Sequence, residues 1–269
     1  MKTNINNVDV KQPYDHFLEL VKKRQTVRGY QKDRDIPEEY IKNILDTART
    51  APSGGNAQPW EFVVVRDKEM RYNIAELYMK QHEDKREMEK LVRGTVRMTG
   101  PGFRDASVHI VVLGDPRVKY AYPIRTMLEK ADKHLHTGLA NATMLIQLAA
   151  ASLGLASQYV SDASSPYMST IIKHWLDIPQ EMEVYEIIPI GYASKYPQST
   201  PRRELNDIIH WDKYDLSKYR NDDQFKHFLN MHTRIGAYGK AKETAQSDEV
   251  GLMFDEEEAK RKHSEISDN

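Results

Sequence analysis

From Leu135 to Leu155 the chain reads LHTGLANATMLIQLAAASLGL, without one Asp, Glu, Lys or Arg. That is close to the length of a membrane span, about 20 residues. However, His136, Asn141 and Gln147 interrupt the run, and polar groups of this kind are costly in lipid. The better reading is a helix apolar on nearly all sides, enclosed by the rest of the fold. Other elements must therefore pack around it. A chain of 269 residues can bury such a core as one enlarged domain or as two small ones.

Periodicity supplies those elements. Tyr14, Phe17, Leu18 and Val21 follow helical spacing, so an amphipathic helix is expected over 14–24. A second helix starts near Pro37, with Glu38 and Glu39 complementing its dipole. It buries Ile41, Ile44, Leu45 and Ala48, and stops before Pro52. The β-branched run Glu61–Arg66 reads as an internal strand. Residues 67–98 are charged and helical in pattern, up to the break at Gly100, Pro101 and Gly102. Ser107–Leu113 reads as a strand, as do Ala156–Val160 and Val184–Tyr192, and Ser165-Pro166 opens a helix running through Trp175. Helices and strands alternate around a buried helix, which gives a layered α/β or α+β fold.

Charge and composition exclude several functions. Lys+Arg number 39 against 40 Asp+Glu, a net charge of −1, so nothing in the bulk charge favours nucleic acid or an anionic membrane as partner. With no Cys there is no disulfide framework, thiolate metal site or cysteine nucleophile. The N-terminal MKTNINNVDVKQP lacks the apolar stretch of a signal peptide. A cytoplasmic protein is expected. No G-x-x-x-x-G-K-[ST], G-x-S-x-G or H-E-x-x-H occurs. GPGFRD at 100–105 lacks the third glycine of a dinucleotide fingerprint and reads as a turn. His134 and His136 lie two apart on a helix, on different faces, so no metal site is expected.

Three segments carry chemistry. In Arg24-Gln25-Thr26-Val27-Arg28-Gly29-Tyr30, two guanidiniums and a hydroxyl lie within five residues. Arg fits phosphate oxygens bidentately, although basic residues also cap helix ends. In Ala51-Pro52-Ser53-Gly54-Gly55-Asn56-Ala57-Gln58-Pro59-Trp60, tandem glycines let backbone N–H groups approach a ligand. Ordinary loop chemistry accounts for the proline and glycines there, but not for the density of amides beside a Trp. In the third, Pro189-Ile190-Gly191-Tyr192 leads on to Thr200-Pro201-Arg202-Arg203, which would otherwise pass for a solvated basic turn.

In this order RQTVRGY, APSGGNAQPWEFVVV, GLASQYVSDA and PIGYASKYPQSTPRREL closely resemble the nitroreductase superfamily, over about residues 14–214. The resemblance implies an α+β, three-layer fold: a central mixed, largely antiparallel sheet, flanking helices and a long buried helix over 135–153. It also implies an intertwined homodimer with FMN at the subunit interface. Arg24, Gln25, Thr26 and Arg28 would then face the phosphate, ribityl chain and pyrimidine edge. Pro52, Ser53, Gly54 and Asn56 would come from the opposite subunit, Arg202 would complete the phosphate clamp, and Arg203 would neighbour or replace it. Backbone at Ser161 and Asp162 would lie near flavin N5. Hydride chemistry belongs to the cofactor, so no dedicated acid, base or nucleophile is required. The implied activity moves hydride from NAD(P)H to a flat electron-poor acceptor, a nitroaromatic or quinone. A reductive dehalogenase and a flavin-binding protein without turnover remain as alternatives.

The chain also departs from the family. Residues 67–104 are long and charged, with Arg97 or Arg104 as candidates for the pyrimidine edge. Asp162 stands where a small or apolar residue is common. Residues 1–13 read as a flexible arm and 14–214 as the FMN-binding domain. Residues 215–269 read as a charged extension, its end at 241–269 partly disordered or wrapped around a partner subunit.

Overall fold

The computed structural model describes residues 11–93, 103–197 and 202–232. Two compact units make up the chain, Met1–Met79 with Pro101–Pro197, and Lys80–Gly100 with Gln198–Asn269.

The first unit is built on a four-stranded sheet of β1 (Trp60–Val65), β2 (Val108–Gly114), β3 (Ala156–Ser157) and β4 (Glu183–Gly191), in the order β1-β2-β4-β3. Every ladder is antiparallel, and one parallel bridge, Thr26 to Ser157, adds to its β3 edge. All seven residues of β2 are buried, because both faces of the sheet are covered. On one face Ile110, Val112, Ile188 and Ile190 pack with Ile41 and Ile44 of α2 (Glu38–Ala48) and Leu139 and Ile146 of α4 (Ile124–Ser152). On the other, Val111, Leu113 and Ile187 pack with Ile74 and Leu77 of α3 (Lys68–Arg93) and Met168 and Ile172 of α5 (Pro166–Trp175). The result is the expected three-layer α+β arrangement with a long central helix.

Several elements depart from expectation, each for a local reason. β1 is an edge strand among the described residues, not an internal one; an apolar run reports burial on two faces but not the number of neighbours. α4 starts at Ile124, capped by Pro123, well before the uncharged run. β3 keeps only two ladder residues. Gln158 N donates to Pro189 O at 3.2 Å, but proline has no N–H to return, and pairing resumes only between Val160 and Ile187.

α1 (Lys11–Lys23) begins three residues before its expected start and buries none of its side chains. Tyr14 and Phe17, on its apolar face, are 59% and 55% exposed. No helix among the described residues is long and apolar enough to cross a membrane. The break at Gly100, Pro101 and Gly102, Arg97, Thr200, Pro201 and the tail 241–269 lie outside the described residues.

The second unit holds the end of α3 and α6 (Asp222–His232). Lys218 Nζ bonds the carbonyls of Asn206 and Ile209 at 2.7 and 2.8 Å, and Arg220 lies 4.3 Å from the Phe228 ring centroid.

Leu139 is fully buried between α4 and the sheet. Leu139→Ala should destabilise the fold by roughly 2–5 kcal/mol, read as a lower urea midpoint with unchanged far-UV circular dichroism.

Candidate functional site

The segment after α1 is pinned to the sheet edge by backbone and by one aromatic. Thr26 bridges Ser157, and Val27 N donates to Ser157 O at 3.0 Å, with the Val27 side chain fully buried. The Tyr30 hydroxyl lies 3.0 Å from Val27 O and 3.2 Å from Pro189 O, and burial raises its pKa, so it stays a neutral donor. Gly191 must lack a side chain, since a Cβ there would sit 2.8 Å from Tyr30 Cδ1 and 3.2 Å from Ser107 N. Gln31 N and Ser194 N close the clasp on Tyr192 O and Gly29 O, at 2.8 and 3.0 Å.

With Val27 turned inward, Arg24, Gln25, Thr26 and Arg28 lie half-buried around it. Arg24 reaches Gln147 Oε1 of α4 at 3.4 Å. Gln25 Oε1 is buried with no hydrogen-bond partner. A phosphorylated polyol suits this set: guanidiniums and a hydroxyl donate to its anion, and its hydroxyls donate to the orphan amide oxygen.

Ser161 and Asp162 occupy a 3-10 turn, Ser161–Ser164, reached from the same sheet edge. Val160 and Ile187 exchange backbone bonds of 3.1 and 3.3 Å just before it. Ser165 N and Oγ both donate to Asp162 O, at 3.1 and 2.7 Å, while Ser165 Oγ caps α5 by accepting from Met168 N. The fold thus brings residues 24–28 and 161–162 to one edge, β3–β4.

The loop Pro52–Asn56 is held elsewhere along α4. Pro52 O accepts from Asn141 Nδ2 at 2.9 Å, and Gly54 O accepts from the Tyr122 hydroxyl at 3.2 Å. A Cβ on Gly54 would lie 2.9 Å from His134 Nδ1, so the loop seats directly on the helix. Gly55 and Asn56 adopt left-handed φ of 59° and 54°. Ser53 Oγ accepts from Gln58 N at 3.0 Å. Measured along α4, contacts at 134–141 lie roughly 9–20 Å from the Arg24 contact at 147, at about 1.5 Å per residue. One chain does not bring this loop against Arg24.

Arg202 and Arg203 belong to the second unit. Arg202 is exposed; Arg203 donates to Asp207 O at 3.0 Å and lies 5.8 Å from the Phe228 ring centroid. Arg104 forms an ion pair with Glu76. Among the described residues no group of three His, Asp or Glu could hold a metal.

One residue escaped the sequence reading. Glu186 lies inside β4, 3% exposed, and its Oε2 has no hydrogen-bond partner. Burial raises its pKa to about 7, a hydrogen bond with Tyr159 opposes this, and Asp162 adds to it. The available signal was a lone carboxylate in the apolar run VYEIIPIGY.

The Nitroreductase family model matches residues 21–192, which hold both edge segments and the Pro52–Asn56 loop. A "Putative NADH dehydrogenase/NAD(P)H nitroreductase" of Methanothermobacter thermautotrophicus is 31% identical over 210 residues, 77% of this chain and 93% of that protein. Iodotyrosine deiodinase 1 of Sus scrofa is 27% identical over 207 residues, 72% of this chain and 67% of that protein. The solved structure of an FMN-dependent nitroreductase from Clostridium difficile superposes with a TM-score of 0.54 at 24% identity, covering 73% of this chain and 99% of that one. That likeness shows the same fold.

The buried carboxylate has a measurable consequence. From the ordinary carboxylate range up to about pH 7, folded Glu186 keeps a proton that the unfolded chain has released. Its contribution to stability therefore falls as pH rises through that window, by on the order of 2–3 kcal/mol. Glu186→Gln should remove this slope. Urea midpoints at roughly pH 5 and pH 8 should converge for the variant relative to the parent, and an unchanged difference would place the titration elsewhere.

Proposed function

The chain belongs to the nitroreductase family, and we propose that it is an FMN-dependent oxidoreductase moving hydride from NAD(P)H to a flat electron-poor acceptor, such as a nitroaromatic or quinone. One observation carries this reading. Around the buried Val27, two arginines, a threonine and an orphan amide oxygen line the sheet edge that also leads to Ser161 and Asp162. The names of the archaeal relative and the clostridial structure support NAD(P)H and FMN respectively.

In this proposal Arg24, Thr26 and Arg28 face the phosphate, ribityl chain and pyrimidine edge, the two guanidiniums supplying the positive charge, and Gln25 accepts from the ribityl chain. Arg202, with Arg203 beside it, completes the clamp. Backbone at Ser161 and Asp162 fixes a dipole near N5. When bound, FMN supplies the ring that takes hydride from the nicotinamide and passes it on, so no acid, base or nucleophile of the chain is assigned. Donor and acceptor use the same place in turn, which gives ping-pong kinetics.

The proposal includes a homodimer. The apolar face of α1 is exposed, as is Met144 on α4, and Pro52, Ser53, Gly54 and Asn56 then complete the site from the second subunit. Residues 14–214 form the FMN-binding domain, residues 215–269 are an extension, and the location is cytoplasmic. The likeness to iodotyrosine deiodinases favours one second reading, reductive dehalogenation at the same site.

The test is anaerobic mixing of the FMN-loaded protein with NADH or NADPH, followed by an acceptor panel. The expected result is bleaching, reoxidation by nitroaromatics or quinones, and parallel initial-rate lines. Preference for halophenols would select the dehalogenase reading; yellow protein that neither nicotinamide bleaches would leave a flavin-binding protein without turnover. Arg24→Ala and Arg202→Ala should each weaken FMN binding by roughly 1.5–3 kcal/mol, through loss of a charge-assisted contact. Equilibrium dialysis that finds full FMN retention in both variants would remove the clamp.

A further inference from the structure

A cavity of about 430 Å³ opens in the first unit between the Ser161–Ser164 turn, α5, α4 and the bulged end of β4. Its surroundings are rich in acceptors. Glu186 lines it, almost wholly buried, with Oε2 unpartnered. Glu183 adds a second carboxylate, bonded at 3.3 Å to His136 Nε2. Ser164 Oγ spends its proton on Ser161 O at 2.8 Å, and Ser169 Oγ spends its own on Pro166 O at 3.4 Å. Both hydroxyls are left with lone pairs only. Lys173, the one ammonium on the wall, donates to Gln180 O at 3.0 Å. Beside the carboxylates the rings of Tyr185 and His136 stack, with centroids 6.0 Å apart and planes at 19°.

This inventory selects the ligand by chemistry. An anion would meet two carboxylates and hydroxyls without free protons. A metal would need ligands beyond these, and no group of three candidates exists among the described residues. A primary ammonium brings three N–H donors and a positive charge to the Glu186 and Glu183 carboxylates, against the single ammonium of Lys173, which is turned to Gln180 O, and an aromatic substituent on it can lie along the Tyr185–His136 pair. A buried carboxylate oxygen left without a partner, as Glu186 Oε2 is, is costly, and such an ion relieves that cost. We propose that this cavity, lined by Glu186 behind the Ser161–Ser164 turn, is a binding site for a small organic ammonium ion.

The probe is benzylammonium, titrated into the purified protein with and without added FMN and followed by isothermal titration calorimetry, with benzyl alcohol as its uncharged counterpart. The expected result is saturable binding of the ammonium, about tenfold weaker in Glu186→Gln, and no saturable binding of the alcohol. Affinity should rise between roughly pH 6 and pH 8, as Glu186 loses its proton among Tyr159, Tyr185, Asp162, Glu183, His136 and Lys173. Ser169→Ala removes one hydroxyl from a half-buried side chain of α5 and should weaken binding roughly threefold, which carries the test should Glu186→Gln fail to fold. Binding unchanged in the folded variants, equal binding of the alcohol, or no saturation would overturn the proposal. None of these outcomes depends on turnover, so failure here leaves the flavin reading standing, and failure of the flavin reading leaves this site standing.

Discussion

Burial of the sheet on both faces is the constraint from which the rest follows. Every residue of β2 is buried, so each of its backbone groups must pair with a neighbouring strand. Registers with β1 and β4 are fixed accordingly, and little backbone is left in the middle of the sheet to meet a ligand. Open backbone occurs where pairing fails, at the β3 edge beside Pro189. The segment after α1 fills that opening through Val27 N and Ser157 O. The polar side chains flanking Val27 are thereby placed at the edge by an apolar residue and a backbone bond, not by their own chemistry.

Much of this was legible in the sequence, for identifiable reasons. Period and burial go together, so Ile41, Ile44 and Ala48 were found as the inner face of α2. The uncharged run located the buried part of α4 but not its charged first third, Ile124 to Lys133, where Ile124 and Leu128 are exposed. Alternation within an apolar run does not count neighbours, which is why β1 was expected inside the sheet and lies at its edge. The clasp of Tyr30 on Pro189 was hidden as well, because the two are joined only in three dimensions. Glu186 was visible but was absorbed into a core strand. At β4 the register with β2 slips between Val112 and Leu113, leaving Tyr185 as the extra residue next to it, and bulges of this kind re-aim side chains without any fixed sequence mark.

α4 acts as a common reference for segments far apart in sequence. His134, Gly138 and Asn141 seat the Pro52–Asn56 loop, and Gln147 meets Arg24. The two are held at separate levels of one helix. In the proposed dimer the two segments come from two copies, and the exposed Tyr14 and Phe17 on α1 are an apolar face that a second copy would cover.

The ionisable groups with large shifts divide into two kinds. Burial drives Tyr30, Tyr159 and His109 toward their neutral forms, His109 to about 3, so they serve as fixed dipoles and packing surface at ordinary pH. Glu186 differs, because burial brings its carboxyl to about 7, where charge and neutrality are close in free energy. A group so balanced responds to whatever lies against it. It neighbours the Ser161–Ser164 turn through the Val160–Ile187 bridge, and the charge of Asp162 in that turn acts on it. Hydride transfer asks for no titrating side chain of its own, which makes a carboxyl poised near neutrality behind that turn a better candidate for sensing a ligand or pH than for moving a proton in the reaction.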